Sequence, residues 1–343
     1  MNTNGSRRPK ILVVSTGGTI ASRYDPRARA MTSVGTGEEL VATLGSLAPP
    51  VDLVLEEFCN LGSNRIDLET SLRLARRIAE LIRDDTVCGC VVTHGTDTLE
   101  ESAFLASLVI ASSKPVVFTG AQRGMDERDA DGPRNLADAI RVAASPDARN
   151  MGVLVVFGGQ VLSAIDATKV HTSDVAAYAS SDFGPLGVVD NGAVLLSRRR
   201  TNYPVVKADQ IDTRVDLITL AMGADSRLFD AAVTSGARGI VLEAFGRGNA
   251  TPQVVAAVKR AATAGIVTVV TSRCPQGRVL PVYGDGGGRD LEDAGAIFAG
   301  RLRGPKARIV LALVQASLKR KEIAELFDLF GRYNGYGEVN VPR

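Results

Sequence analysis

Short β-branched runs alternate with helical patterns along most of this 343-residue chain, and that alternation restricts the fold to βαβ units around a mostly parallel sheet. Residues 10–16 read as a continuous apolar strand. Asp67 is placed to cap a helix whose apolar residues Leu68, Leu72, Ala75, Ala79 and Ile82 recur every three or four positions, giving one buried stripe. Strands follow at 87–93, 115–119 and 153–157, separated by helices at 99–111 and 135–144. Four βα repeats predict a doubly wound sheet in the first half. Around 198–214 the periodicity stops in a polar, basic, proline-broken stretch that reads as a linker, its three arginines Arg198, Arg199 and Arg200 as a solvated run. A second α/β pattern then runs through strands 217–221, 239–243 and 266–271 and helices 227–235, 253–264, 306–317 and 319–330. The expected architecture is α/β: a larger N-terminal doubly wound, mostly parallel sheet domain (1–197), a linker (198–214) and a smaller C-terminal α/β domain (215–343).

Composition removes several classes of function. Lys plus Arg number 40 and Asp plus Glu 38, so the formal net charge is only +2 and no basic field exists for a nucleic acid or an acidic membrane. The longest apolar runs, 152–157 and 309–314, fall far short of the ~18–20 residues of a membrane helix. The N-terminal ten residues are polar and lead into a five-residue apolar run, unlike a secretory signal, so a cytoplasmic location is expected. Cys59, Cys88, Cys90 and Cys274 show no disulfide spacing and read as buried reduced thiols.

In an open parallel sheet, ligands bind beyond the carboxyl ends of the strands. Three such ends here are rich in glycine and hydroxyls: Ser15-Thr16-Gly17-Gly18-Thr19, Thr93-His94-Gly95-Thr96-Asp97-Thr98 and Thr119-Gly120-Ala121-Gln122-Arg123. The phosphate loop G-x-x-x-x-G-K-[ST], the serine elbow G-x-S-x-G and the zinc motif H-E-x-x-H are all missing, and His94 and His171 are the only histidines. What remains is threonine chemistry. A threonine hydroxyl needs a neighbouring base, and Thr19, Thr96, Asp97 and Lys169 supply a set in which a lysine beside an aspartate relays a proton.

At these residues the sequence resembles the bacterial-type L-asparaginase family, which includes the asparaginases and the glutaminase-asparaginases. Thr16-Gly17-Gly18-Thr19-Ile20-Ala21 and His94-Gly95-Thr96-Asp97-Thr98-Leu99-Glu100-Glu101 are similar to its two signature segments. Ala130-Asp131-Gly132-Pro133 with Asn135-Leu136, Thr168-Lys169, Gly184-Pro185-Leu186-Gly187 and the stretch from Gly246 to Asn249 extend the resemblance over almost the whole chain. The resemblance implies hydrolysis of L-asparagine to L-aspartate and ammonia through a threonine acyl-enzyme, without a cofactor and without a metal. It implies Thr19 as nucleophile, Thr96 and Lys169 as activators of a hydroxyl or water, and Asp97 as the group binding the substrate amino group. Ser63 and Asn64 would bind the substrate carboxylate, Asn64 standing where the family often has glutamine. Backbone amides near Gly18, Gly95–Thr96 and Ala121 would face the oxyanion. Asn249 resembles a residue that reaches a neighbouring subunit's site, which implies an intimate homodimer assembled into a homotetramer.

Two loops depart from the family pattern. Where the mobile loop has a tyrosine, this chain has Arg27-Ala28-Arg29-Ala30-Met31, with Tyr24 the only local substitute. Where a partner acidic residue is common, Asp285-Gly286-Gly287-Gly288-Arg289-Asp290 places a glycine between aspartates. Read without the resemblance, Thr19, Thr96 and Asp97 are also suitable helix caps, His94 is a structural residue, and His171 and Arg123 are solvent-facing or loop-bracing. Two rivals to the asparaginase reading remain open at this level: a hydrolase of another small amide, lactam or glutamine on the same scaffold, and a non-catalytic amino-acid-binding protein. A transfer-RNA-dependent amidotransferase component shares the scaffold, but such proteins look longer at the amino terminus and should be more basic, and ten polar residues are expected to leave no room for that domain.

Overall fold

The computed structural model describes residues 8–33, 35–199 and 204–331. The chain divides into two compact units between Val205 and Val206. In the first, the elements in chain order are β1 (Lys10–Ser15), β2 (Ser22–Asp25), β3 (Ala30–Ser33), α1 (Gly37–Ala42), β4 (Asp52–Glu57), α2 (Leu68–Leu81), β5 (Val87–Thr93), α3 (Leu99–Val109), β6 (Val116–Thr119), α4 (Gly132–Ala144), β7 (Val153–Phe157), β8 (Gln160–Ser163), β9 (Ala167–Lys169), β10 (Tyr178–Ser180), β11 (Gly187–Asp190) and β12 (Ala193–Leu196). Eight of these strands form one sheet in the order β12-β11-β8-β7-β6-β5-β1-β4. β4, β1, β5, β6 and β7 are parallel. β8, β11 and β12 extend the sheet antiparallel.

Every residue of β6 and β7 is buried, as expected for strands covered on both faces. Ile11, Val13, Val91, Val117, Leu154 and Val156 share a core with Leu40 and Leu44 near α1 and with Leu136 and Ile140 of α4. The intervening residues Leu12, Val14, Val92 and Phe118 point to the opposite face by strand alternation, and all four are buried. α2 starts where its cap predicts, with the Asp67 carboxylate accepting the Thr70 amide. α4 begins three residues before the expected 135, because Pro133 fits the first helical turn, where its missing N–H is no loss.

Arg198 and Arg199 of the expected solvated run are exposed, and both also brace neighbouring main chain. The Arg198 guanidinium donates to the carbonyls of Phe183 and Pro185, clamping the turn before β11, and Arg199 donates to the Asp147 carbonyl. Arg200 lies outside the described residues. The uniform burial expected of the cysteines also fails: Cys90 is buried, Cys59 and Cys88 are half-buried and Cys274 is exposed, none of them paired. Cys274 follows the end of a strand in a turn, where no sheet neighbour covers it.

The second unit contains β13 (Val215–Thr219), α5 (Arg227–Thr234), β14 (Gly239–Ala244), α6 (Pro252–Thr263), β15 (Val267–Ser272), α7 (Gly288–Asp293), β16 (Ile297–Phe298), α8 (Gly304–Val314) and α9 (Arg320–Gly331). Its four strands pair in parallel in sequence order. Ile218, Ile240, Leu242, Val254, Val258, Val270 and Leu291 form its core. The first strand ends at Thr219 rather than 221. Among the described residues of both units, no helix is long and apolar enough to cross a membrane.

Candidate active site

The carboxyl ends of β1, β5 and β6 are tied together by the main chain. The Thr16 amide and hydroxyl both donate to the Thr93 carbonyl, at 3.1 and 2.9 Å, and the His94 amide donates to the Thr119 carbonyl at 2.9 Å. The two signature loops then touch through their glycines. Gly18 has φ +84°, and a Cβ there would lie 2.3 Å from the Gly95 Cα. A Cβ on Gly95 would in turn meet the Ser63 Oγ at 2.7 Å. No side chain fits at either contact, so three loops stack at van der Waals separation because two of them carry glycine.

Thr19 opens a short 3₁₀ turn, Thr19–Ala21, directly after that contact. The turn is preceded by Gly18 and has no side-chain cap, so the helix-cap reading of Thr19 does not hold. Among the described residues, none hydrogen-bonds its half-buried hydroxyl. The cap reading fails for α3 as well. Its N-terminus at Thr98 has no side-chain cap, and the Thr98 hydroxyl donates instead to the Ser63 carbonyl at 2.8 Å.

Thr96 is 4 % exposed. Lys169 Nζ donates to its Oγ1 at 2.9 Å and to Asp97 Oδ1 at 3.0 Å. The lysine side chain is 17 % exposed and that of Asp97 67 %, so the pair runs from the protein interior to an open carboxylate. Lys169 ends the short strand β9, which pairs with β10 so that Lys169 faces Tyr178. The Lys169 amide donates to Glu100 Oε2 at 2.8 Å, and the Tyr178 hydroxyl donates to the Thr96 carbonyl. Burial, with the nearby carboxylates of Glu100 and Asp97, pushes the Tyr178 phenol up, which keeps it a neutral donor. Lysine and threonine are thus joined twice, through side chains and through the ladder.

Ser63 is buried and its Oγ accepts the Asp97 amide at 3.2 Å, which leaves the hydroxyl proton free to point at a ligand. Asn64 beside it is exposed. Ala121, at the end of β6, is fully buried. Asp131 holds the loop that follows: its carboxylate accepts the amides of Gln122, at 3.1 Å, and Arg123, at 3.0 Å, and the Asn135 side chain at 3.2 Å. Asn135 also ties down the Gly120 carbonyl and the Gly158 amide.

His94 is completely buried, its Nδ1 2.8 Å from the Gly95 carbonyl oxygen. Burial pushes its pKa down to about 4, the Gly95 contact opposing only part of that shift, so the ring is neutral and structural. His171 braces its own loop by accepting the Ser173 and Asp174 amides, and Arg123 pairs with Asp129. Tyr24 lies on β2, 55 % exposed. Asn249 belongs to the second unit, where its side-chain oxygen accepts the Gly288 amide at 3.2 Å. Asp290 is engaged locally, accepting the Gly286 amide at 2.6 Å. Among the described residues, no group of three or more His, Cys, Asp or Glu side chains is placed to hold a metal.

Four participants in this cluster were not singled out from the sequence: Gln122, Glu100, Tyr178 and Asp131. Asp131 sits in the quoted Ala130–Pro133 match, so a signal existed. Glu100 sits in the His94–Glu101 signature segment, where helix phase brings it to the Lys169 amide, whereas Tyr178 carries no local pattern, since only the strand pairing brings it to Thr96.

Residues 10–202 match the family described as Asparaginase, N-terminal, and residues 214–327 match the Glutaminase/Asparaginase C-terminal domain. The chain is 34 % identical over 311 residues to the L-asparaginase of Bacillus licheniformis, covering 90 % of this chain and 96 % of that one. It is 32 % identical over 305 residues to a glutamyl-tRNA(Gln) amidotransferase component of Methanosarcina acetivorans, covering 85 % of this chain and 71 % of that protein. A crystal structure of the probable cytoplasmic L-asparaginase from Campylobacter jejuni superposes with a TM-score of 0.81 at 31 % identity, over 93 % of this chain and 99 % of that one. With both halves matched in order, and with a relative of almost equal length, the chain belongs to the asparaginase family.

Proposed function

We propose that this protein hydrolyses the side-chain amide of L-asparagine to L-aspartate and ammonia, with Thr19 as the nucleophile. The observation that carries the reading is the contact of Lys169 Nζ with Thr96 Oγ1 at 2.9 Å and Asp97 Oδ1 at 3.0 Å, on a loop that Gly18 packs against immediately before Thr19. Thr19 Oγ bonds to the amide carbon, the C–N bond breaks, and the nitrogen leaves as ammonium, carrying the Thr19 proton and one passed from Lys169 through Thr96, so that Lys169 is left as the amine. A water molecule then gives a proton through Thr96 to the Lys169 amine and adds to the acyl carbon. The ester bond breaks, and Thr19 recovers its proton. Backbone amides near Gly18, Gly95–Thr96 and Ala121 stabilise the oxyanion. The exposed Asp97 carboxylate takes the substrate ammonium, while Ser63 and Asn64 take its carboxylate.

An intimate dimer, assembled into a tetramer, with Asn249 serving a neighbouring copy, belongs to the same proposal, as does a cytoplasmic location, which the four unpaired cysteines favour. Ammonia release from a panel of amides, measured on the parent and on Thr19→Ala, tests the reaction. Asparagine turnover that disappears in the variant is the expected result. Turnover that persists in Thr19→Ala, or that occurs only with another amide, overturns the reading. Light scattering tests the assembly.

A further inference from the structure

Lys169 and Tyr178 are direct cross-strand partners in the antiparallel β9–β10 pair, and the Val170 amide extends that pairing by donating to the Ala177 carbonyl at 2.7 Å. Opposed residues of an antiparallel pair project to the same face, and both of these side chains end on Thr96. Lys169 Nζ donates to its Oγ1 at 2.9 Å, while the Tyr178 hydroxyl donates to its carbonyl. The peptide to which this carbonyl belongs is held at its other edge too, because the Asp97 amide donates to Ser63 Oγ at 3.2 Å. The Thr96–Asp97 peptide is therefore gripped on both edges, and it joins the two residues that share Lys169 Nζ. Side-chain contacts do less to orient Thr96: Gln122 Oε1 lies 3.5 Å from its Oγ1, at the outer limit of a hydrogen bond. The Tyr178 ring is itself fixed, 2 % exposed and with its centroid 4.9 Å from that of Phe157. A carbonyl that accepts a bond also makes the N–H of the same peptide a stronger donor, so the grip at one edge reinforces the grip at the other.

We infer that Tyr178 is a positioning residue: by holding the Thr96–Asp97 peptide, its hydroxyl sets the Thr96 hydroxyl and the Asp97 carboxylate at the distance from Lys169 Nζ that proton transfer needs. The phenol acts through that peptide and not on the reacting atoms. It closes a ring of contacts that runs from Lys169 through the β9–β10 ladder and the phenol to Thr96 and back, so the Nζ–Oγ1 separation does not depend on the flexible lysine stem alone. The inference rests on the proposed roles of Thr96 and Lys169.

Tyr178→Phe keeps the ring against Phe157 and deletes only the hydroxyl. Steady-state ammonia release from asparagine should show kcat lowered about tenfold or more with KM within about threefold of the parent, since no group assigned to the substrate is removed. Ser63→Ala frees the other edge of the same peptide, so the kcat losses of the two variants should not multiply: the double variant departs from their product by about threefold or more. A parent-like kcat in Tyr178→Phe, with or without a lower Tm, marks the hydroxyl as structural and overturns the inference. Losses that multiply overturn it too, since independent contacts multiply and two grips on one peptide do not. Lys169→Met separates failure of the inference from failure of the proposed reaction. If Lys169→Met is inactive while Tyr178→Phe matches the parent, only the inference falls; if Lys169→Met and Thr96→Val turn over at the parent rate, the assigned roles fall and the inference with them.

Discussion

Replacing Lys169 by methionine separates what this residue does for folding from what it does for the reaction. Methionine keeps the unbranched stem, so little packing is lost and the change falls on the ammonium head. Against Asp97, whose side chain is 67 % exposed, the ion pair is solvent-screened and contributes about 0–1 kcal/mol. The bond to the buried Thr96 Oγ1 at 2.9 Å is charge-assisted and accounts for about 1.5–3 kcal/mol. Folding stability should therefore fall by about 2–3 kcal/mol, which for a unit of this size lowers Tm by roughly 4–12 °C. The catalytic loss should be larger. A positioned proton acceptor contributes about 10²–10⁴-fold, or roughly 3–5 kcal/mol of barrier. It should appear in kcat, since the substrate ammonium is assigned to Asp97 and its carboxylate to Ser63 and Asn64. Steady-state ammonia release gives kcat and KM, and differential scanning calorimetry gives the unfolding. A variant with kcat within tenfold of the parent, or one whose KM rises while kcat holds, would refute the proton-relay role.

Three further outcomes follow from the geometry. Gly18→Ala should lower kcat by about 100-fold and destabilise by at least 1–3 kcal/mol, since its methyl would meet the Gly95 Cα at 2.3 Å on a backbone at φ +84°; a soluble, fully active variant contradicts the stack. The fully buried His94, with a pKa of about 4 against an ordinary 6.5, stays neutral in the folded state while the unfolded chain takes up a proton. Stability should thus be full above pH 6.5 and be lost as pH falls toward 4, by up to about 3 kcal/mol. Urea unfolding of the parent and of His94→Gln across that range checks this, and equal slopes for both would dismiss it. Asp131→Ala should cost about 2–4 kcal/mol by releasing two backbone amides and the Asn135 side chain, with slower hydrogen exchange at the Gln122 and Arg123 amides than in the parent ruling the account out.

Much of the sheet was legible because strand and helix periods differ. Residues 87–93 and 153–157 are the observed β5 and β7 to the residue, and the Asp67 cap forms as its type predicts. β4 escaped notice because Asp52–Glu57 is an edge strand whose residues are half-buried or exposed, so its apolar signal is diluted by charges. The antiparallel extension carries its own sequence signal. Asn191-Gly192 joins β11 to β12 with both residues at positive φ, and Gly158-Gly159 joins β7 to β8 in the same manner; both are two-residue hairpin sequences. In the candidate site, Thr19, Thr96, Asp97 and Lys169 could be named as candidates in advance because their types and motifs announce chemistry, and Ser63 because the family resemblance implies it. Tyr178 lies in no motif, and Gln122 and Glu100, though inside the Thr119–Arg123 and His94–Glu101 segments, announce no role by themselves, because each matters only through a neighbour supplied by strand order or helix phase.

The contact of Gly18 with Gly95, and of Gly95 with Ser63, makes the separation of the two threonine loops a property of bare main chain. Rotamer changes in surrounding side chains cannot alter the Gly18–Gly95 spacing, and neither can sequence drift in the loop that bears Tyr24. On the proposed reading, reaction type rests on this backbone stack, so that a lineage could retarget such a catalyst to a different amide while its cutting edge stays as it was.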